Sequence, residues 1–148
     1  MRICISITDD TTAAVVARMA ALAPAADLFE VRADFVRDLD LCALLRARSR
    51  PILLTCRSDA EGGRSTDEAS RRRLLAEAVT LGFDLVDGEA RSGFEEVIDA
   101  TRGRGLVLSW HDFDGTPDDL EAIYQRMAAS RPDVVKIVTL ARGIGDLG

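Results

Sequence analysis

Polar and apolar positions alternate in short runs along this chain, and each run gives way to a stretch of helical periodicity. Arg2–Thr8 sets Ile3, Ile5 and Ile7 between Cys4, Ser6 and Thr8, a period of two that predicts a strand. Thr11 or Thr12 then caps an alanine-rich helix ending near Pro24. The same unit recurs, with strands predicted at Asp27–Phe35, Pro51–Arg57, Asp84–Ala90, Gly105–Phe113 and Asp133–Ala141. Helices are predicted near Leu39–Arg48, Thr66–Leu81, Phe94–Thr101 and Pro117–Ser130. In the last of these, Thr116 would be the cap, Pro117 the first helical residue, and Asp118 and Asp119 acids at the positive end of the dipole. Strands alternating with helices imply parallel pairing through right-handed crossovers.

The two faces of the strands decide between architectures. In the second strand Phe29, Val31, Ala33 and Phe35 lie on one side, and Glu30, Arg32 and Asp34 on the other. The same division puts Leu53, Thr55 and Arg57 on that second side, followed by Leu85, Asp87 and Glu89, then Val107, Ser109 and His111, then Val134, Lys136 and Val138. One sheet face thus gathers Glu30, Arg32, Asp34, Arg57, Asp87, Glu89, His111 and Lys136. So many charges cannot lie beneath the packed helices of a doubly wound sheet. The interior of a parallel (β/α) barrel of the TIM type accepts them toward the carboxyl ends of its strands. An eight-unit barrel takes about 250 residues and seldom fewer than about 200. The chain has 148. The expectation is therefore an α/β chain forming one incomplete barrel domain over residues 1–148, with six of eight βα units, whose tail from Arg142 resembles the start of a sixth helix.

Charge narrows the partners. A net charge of −6 and a pI near 4.8 argue against nucleic acid and anionic membrane surfaces, and leave a small-molecule substrate. Cys4, Cys42 and Cys56 match no disulfide framework or zinc motif, which fits reduced thiols and a cytoplasmic location. No apolar run is long enough to span a membrane.

Lys136 is the one lysine among 19 basic side chains, and it interrupts an apolar β-branched run. An amine can lose its proton and attack a carbonyl to form a Schiff base, which guanidinium cannot do. Burial would favour the neutral amine; a salt bridge to a carboxylate is the alternative reading. His111, the one histidine, projects to the same face of the adjacent strand. Imine formation beside an imidazole that moves protons suits elimination, isomerisation or aldol chemistry. Arg57 opens the polar loop Arg57-Ser-Asp-Ala-Glu-Gly-Gly63, whose glycines would let it move over the barrel mouth. Glu30 and Arg32 would neutralise each other, as Asp87 and Glu89 would the arginines.

These residues resemble the type I 3-dehydroquinate dehydratases. The likeness runs along the chain through Ser6, Glu30-Val-Arg-Ala-Asp34, Thr55-Cys-Arg57, Glu61-Gly-Gly63, Asp87-Gly-Glu89, Ser109-Trp-His-Asp-Phe113, Thr116-Pro117 and Asp133-Val-Val-Lys-Ile137. The resemblance implies that Lys136 forms an imine with the C3 ketone of 3-dehydroquinate. His111 would take a C2 proton and protonate the departing C1 hydroxyl, giving 3-dehydroshikimate in the shikimate pathway of aromatic amino acid biosynthesis. It further implies that Glu61 orients His111, that Glu30, Arg32 and Arg57 hold substrate hydroxyls, and that Ser6 lines the pocket. The imine is the electron sink, so no cofactor and no metal is expected. The family's carboxylate-binding arginine on the seventh strand and its closing loop after the eighth have no counterpart among these residues. Impaired turnover by this chain alone is therefore expected, as is either a homo-oligomer or a further C-terminal segment. Another Schiff-base lyase or aldolase, or a non-catalytic barrel remnant that binds partners by its open edge, are the competing readings.

Overall fold

A computed structural model describes residues 2–91, 97, 101 and 105–143. Six strands, β1 (Cys4–Ile7), β2 (Leu28–Arg32), β3 (Ile52–Thr55), β4 (Leu85–Glu89), β5 (Leu106–Asp112) and β6 (Val134–Thr139), form one sheet in the order β1-β2-β3-β4-β5-β6. Every neighbouring pair is parallel. The order never reverses, as the barrel reading requires and a doubly wound sheet forbids.

Four helices, α1 (Thr12–Leu22), α2 (Leu41–Arg46), α3 (Glu68–Leu81) and α4 (Leu120–Ala128), are described between the strands. Their buried positions follow the helical period: Val15 and Met19 in α1, Leu41 and Leu44 in α2, Leu75 and Ala78 in α3, Ile123 and Met127 in α4. Phe29, Val31, Ile52, Leu54, Val86 and Leu106 from the outer sheet face join the first three helices in one apolar core. Leu108 and Trp110 join α4 in a second. Full burial of each such large side chain contributes about 1.5–3 kcal/mol. The predicted helix at Phe94–Thr101 and the predicted helix start after Arg142 lie largely outside the described residues; Val97 and Thr101 are buried.

Caps fix most element ends, and they correct several predicted boundaries. Thr11 caps α1 through the amide of Ala14, whereas Thr12 instead bonds the Asp38 segment. α2 begins at Leu41 because Asp40 accepts from Ala43 N–H, and α3 begins at Glu68 because Asp67 accepts from Ala69 and Ser70. Gly82 closes α3 at φ 86°, a left-handed position that suits glycine. Thr116 does not cap α4. Its hydroxyl donates to Thr139 Oγ1 on β6, so the chain turns through Asp118 and Asp119 and the helix starts at Leu120. β2 ends at Arg32 rather than Phe35, because Ala33–Phe35 turns into one 3-10 turn that carries Asp34 inward.

The sheet is curled. Glu30 on β2 and Lys136 on β6 are four strand positions apart, which would be about 19 Å on a flat sheet at about 4.8 Å per strand. Their charged groups lie 3.7 Å apart. Such a closure needs a concave face, and it brings the polar side chains of all six strands toward one centre.

Candidate active site

Register places the chemistry-bearing side chains. Ser6 pairs with Glu30, and Glu30 with Leu53. Glu89 pairs with Ser109, and Ser109 with Lys136, while His111 lies one pleat further along β5. Partners in a parallel register face the same way, so Ser6, Glu30, Ser109, Lys136 and His111 share the concave face.

Lys136 is not buried as the sequence suggested. Its side chain is 36% exposed, because β6 lies at an edge of the sheet. Its ammonium faces Glu30, which also receives the Thr55 hydroxyl at 3.0 Å. Burial pushes the Glu30 carboxyl up, but Lys136, hydrogen bonds from Ser6 and Thr55, and the charge of Arg32 together hold it below the ordinary carboxylate value. The expected neutralisation of Glu30 by Arg32 does not occur as a direct pair. Arg32 instead makes a two-point bond to Asp34, at 2.9 and 2.8 Å, with its guanidinium 5.0 Å from the centre of the Phe35 ring.

A group held lower in the folded chain stabilises it above its unfolded value, and that contribution is lost as pH falls through the folded one. Glu30→Gln should therefore flatten the fall of melting temperature below about pH 4.3, the ordinary glutamate value. Melting curves from neutral pH to pH 3 check this. Asp87 has the opposite sign: burial pushes its carboxyl up against Arg57, the Ser109 hydroxyl and Lys136.

His111 is buried, and its Nδ1 lies 2.8 Å from Glu61 Oε2. A carboxylate only accepts, so Nδ1 carries the proton and Nε2 is left as the basic nitrogen. Phe113 stacks on the imidazole at 6.1 Å between centres. Beneath the pair lies Arg57, 3% exposed. One of its terminal nitrogens bonds Asp87 at 2.8 Å; the other bonds Glu89 at 3.0 Å and Ser109 at 2.7 Å. Glu61 lies 3.7 Å from the same guanidinium. Arg57 thus commits its terminal nitrogens to protein carboxylates and balances the site's buried negative charge.

Hydrogen bonds tie the Glu61 loop to the strands beneath it, and its glycines serve close approach. Ser58 Oγ accepts from Glu61 N–H at 3.2 Å and donates to Glu89 at 2.7 Å. Gly62 has φ 79°, and a Cβ there would meet the Phe113 ring at 3.0 Å. A Cβ on Gly63 would lie 2.2 Å from the Arg57 carbonyl oxygen. Asp34 accepts from the amides of both Arg57 and Arg64, so it ties the two ends of the loop together. Asp34 stands on the polar strand face in the sequence but with no role of its own, because its turn inward is not written in the alternation, and Ser58, a loop hydroxyl, shows no periodic signal.

All seven residues singled out from the sequence therefore belong to one region. Lys136, Glu30, Arg32 and Ser6 lie on or beside the β1–β2–β6 side, and His111, Glu61 and Arg57 on the β3–β5 side. The electrostatic neighbourhood of Asp87 includes both Arg57 and Lys136, which links the halves. Among the described residues, no group of three or more His, Cys, Asp or Glu is arranged to hold a metal ion.

The family model described as Type I 3-dehydroquinase matches residues 3–147. A 3-dehydroquinate dehydratase of Thermococcus gammatolerans is 43% identical over 121 residues, covering 78% of this chain and 57% of the relative. One from Methanopyrus kandleri is 36% identical over 127 residues, covering 82% of this chain and 58% of that protein. The crystal structure of a type I 3-dehydroquinate dehydratase from Clostridium difficile with covalently modified comenic acid superposes with a TM-score of 0.84 at 27% identity, over 99% of this chain and 65% of that one. The chain spans less than two thirds of the length of these curated relatives.

Proposed function

The chain belongs to the type I 3-dehydroquinase family, and on that footing we propose that it dehydrates 3-dehydroquinate to 3-dehydroshikimate in the shikimate pathway. The observation that carries the reading is the pair of single residues on one concave face: the amine of Lys136, and an imidazole whose Nδ1 is tied to Glu61 at 2.8 Å. The Lys136 amine attacks the C3 ketone, water leaves, and the imine makes the C2 proton acidic. Nε2 of His111 takes that proton; the electron pair forms the C1–C2 double bond as the C1 hydroxyl departs. The imidazolium returns its proton to the departing oxygen, and water then hydrolyses the imine to free Lys136. Atoms balance with the loss of one water and no change of oxidation state.

Glu30 neutralises the ammonium of the resting enzyme, and with Arg32 and Ser6 it holds substrate hydroxyls. Arg57 lies under this layer, and its contribution to hydroxyl binding is through the carboxylates that it orients. The three described cysteines are free thiols, which supports a reducing cytoplasmic setting. Among the described residues no helix is long and apolar enough to cross a membrane. Exposed Ile3, Val134 and Leu140 near the two edge strands support self-association or docking of a further segment there.

The assay is the rise in conjugated-enone absorbance as 3-dehydroshikimate forms from 3-dehydroquinate. Product formation that requires both Lys136 and His111 supports the reading. Product formation that survives loss of both removes it.

A further inference from the structure

Arg71 carries a full charge on the inward stripe of α3, in line with Leu75 and Ala78, yet it is only 1% exposed. Neighbouring Arg72 and Arg73 are more exposed, and in a linear reading of the sequence the three look alike. Its guanidinium passes inward from the helix layer. Nε donates to the Cys56 carbonyl at 2.8 Å, and Nη2 lies 2.8 Å from Glu89 Oε2. That same Glu89 oxygen accepts from Ser58 Oγ at 2.7 Å, and its other oxygen accepts from Ser58 N–H at 2.9 Å. Ser58 Oγ in turn caps the turn that carries Glu61, and Glu61 holds His111.

We propose that Arg71 is a positioning residue: it acts from α3 through Glu89 and Ser58 to hold the Glu61 carboxylate in line with His111 Nδ1. The inference deepens the dehydratase reading, on which the catalytic value of a fixed His111 rests. The Arg71–Glu89 link is a buried ion pair and the links from Glu89 through Ser58 and Glu61 to His111 are hydrogen bonds, all between residues under 9% exposed, so a side chain of the relay that turned away would leave a buried charge or polar group without its partner. Arginine is required by the geometry. One planar fork reaches both the Cys56 carbonyl and the Glu89 carboxylate, whereas a lysine ammonium on its flexible stem offers a point charge that meets them less well.

A single histidine makes the test direct, because the imidazole signals of a 15N-histidine-labelled chain all come from His111. In the unsubstituted chain the Nδ1–H proton should give a sheltered signal in the 1H–15N spectrum. Arg71→Lys and Ser58→Ala should each broaden or abolish it while the folded pattern of backbone amides persists. Ser58→Ala changes one hydroxyl and carries the test if Arg71→Lys does not fold. In parallel, borohydride trapping of 3-dehydroquinate on Lys136 should be the same in the folded variants as in the parent. An Nδ1–H signal unchanged in position and exchange rate, with only a lower melting temperature, would overturn the relay and leave Arg71 a stability residue. Absence of a sheltered signal from the parent chain would overturn it equally. Failure of trapping in parent and variants alike would refute the dehydratase reading, while the spectrum still decides the positioning.

Discussion

His111→Gln is expected to lower 3-dehydroshikimate formation by about 10²–10⁴-fold, the usual contribution of a positioned general acid–base group. The glutamine amide lies near the place of Nε2 rather than Nδ1, so Glu61 loses its partner, while Ser58 and Asp34 still anchor the loop. The amide cannot take or return a proton. The loss corresponds to about 3–5 kcal/mol of transition-state stabilisation. Imine formation at Lys136 should continue in this variant, and rates for the parent and variant under the same conditions check the factor. A drop of less than tenfold would assign the proton transfer to another group.

Arg57→Met should cost about 3–5 kcal/mol of folding stability, the range for removing one partner of a buried ion pair. The cost arises because Asp87 and Glu89, at 2% and 1% exposure, would lose the guanidinium between them, leaving Asp87 either an unpaired buried charge or forced to take up a proton. Domains of this kind hold about 5–15 kcal/mol in all, so the variant should melt far below the parent or fail to fold. Arg37→Met offers the contrast: its pair with Asp10 is 74% and 61% exposed, and such pairs contribute about 0–1 kcal/mol. Urea unfolding of the two variants beside the parent separates them. Equal midpoints would mean that Arg57 is not the hub of the charge network.

The architecture was legible because the strands state both of their faces. Alternation in β2, with Phe29 and Val31 against Glu30 and Arg32, told inside from outside, and repetition over the four later strands left a curled sheet as the arrangement able to hold the charges. Side-chain pairing was less legible. Glu30 and Arg32 look like natural partners at a spacing of two, yet Asp34 turns inward and takes Arg32, which leaves Glu30 for Lys136 across the concavity. The exposure of Lys136 follows from the edge position of β6, a property of the whole sheet that no local pattern encodes. Thr116 has every local mark of a cap, and a hydroxyl on β6 outcompetes the helix for it. Arg71 was within reach: a helical wheel of α3 puts it on the apolar stripe, but adjacency to Arg72 and Arg73 hides it in a linear reading.

The central claim is that Lys136 captures the substrate ketone. Incubation with 3-dehydroquinate and borohydride, followed by proteolysis and peptide mass mapping, measures it without requiring turnover. The reduced adduct should fall on the peptide that contains Lys136, and Lys136→Arg, which keeps a cation beside Glu30 but removes the one ε-amine of the chain, should yield none. An adduct that persists in Lys136→Arg, or one that maps to the α-amino group in the parent, would contradict the account.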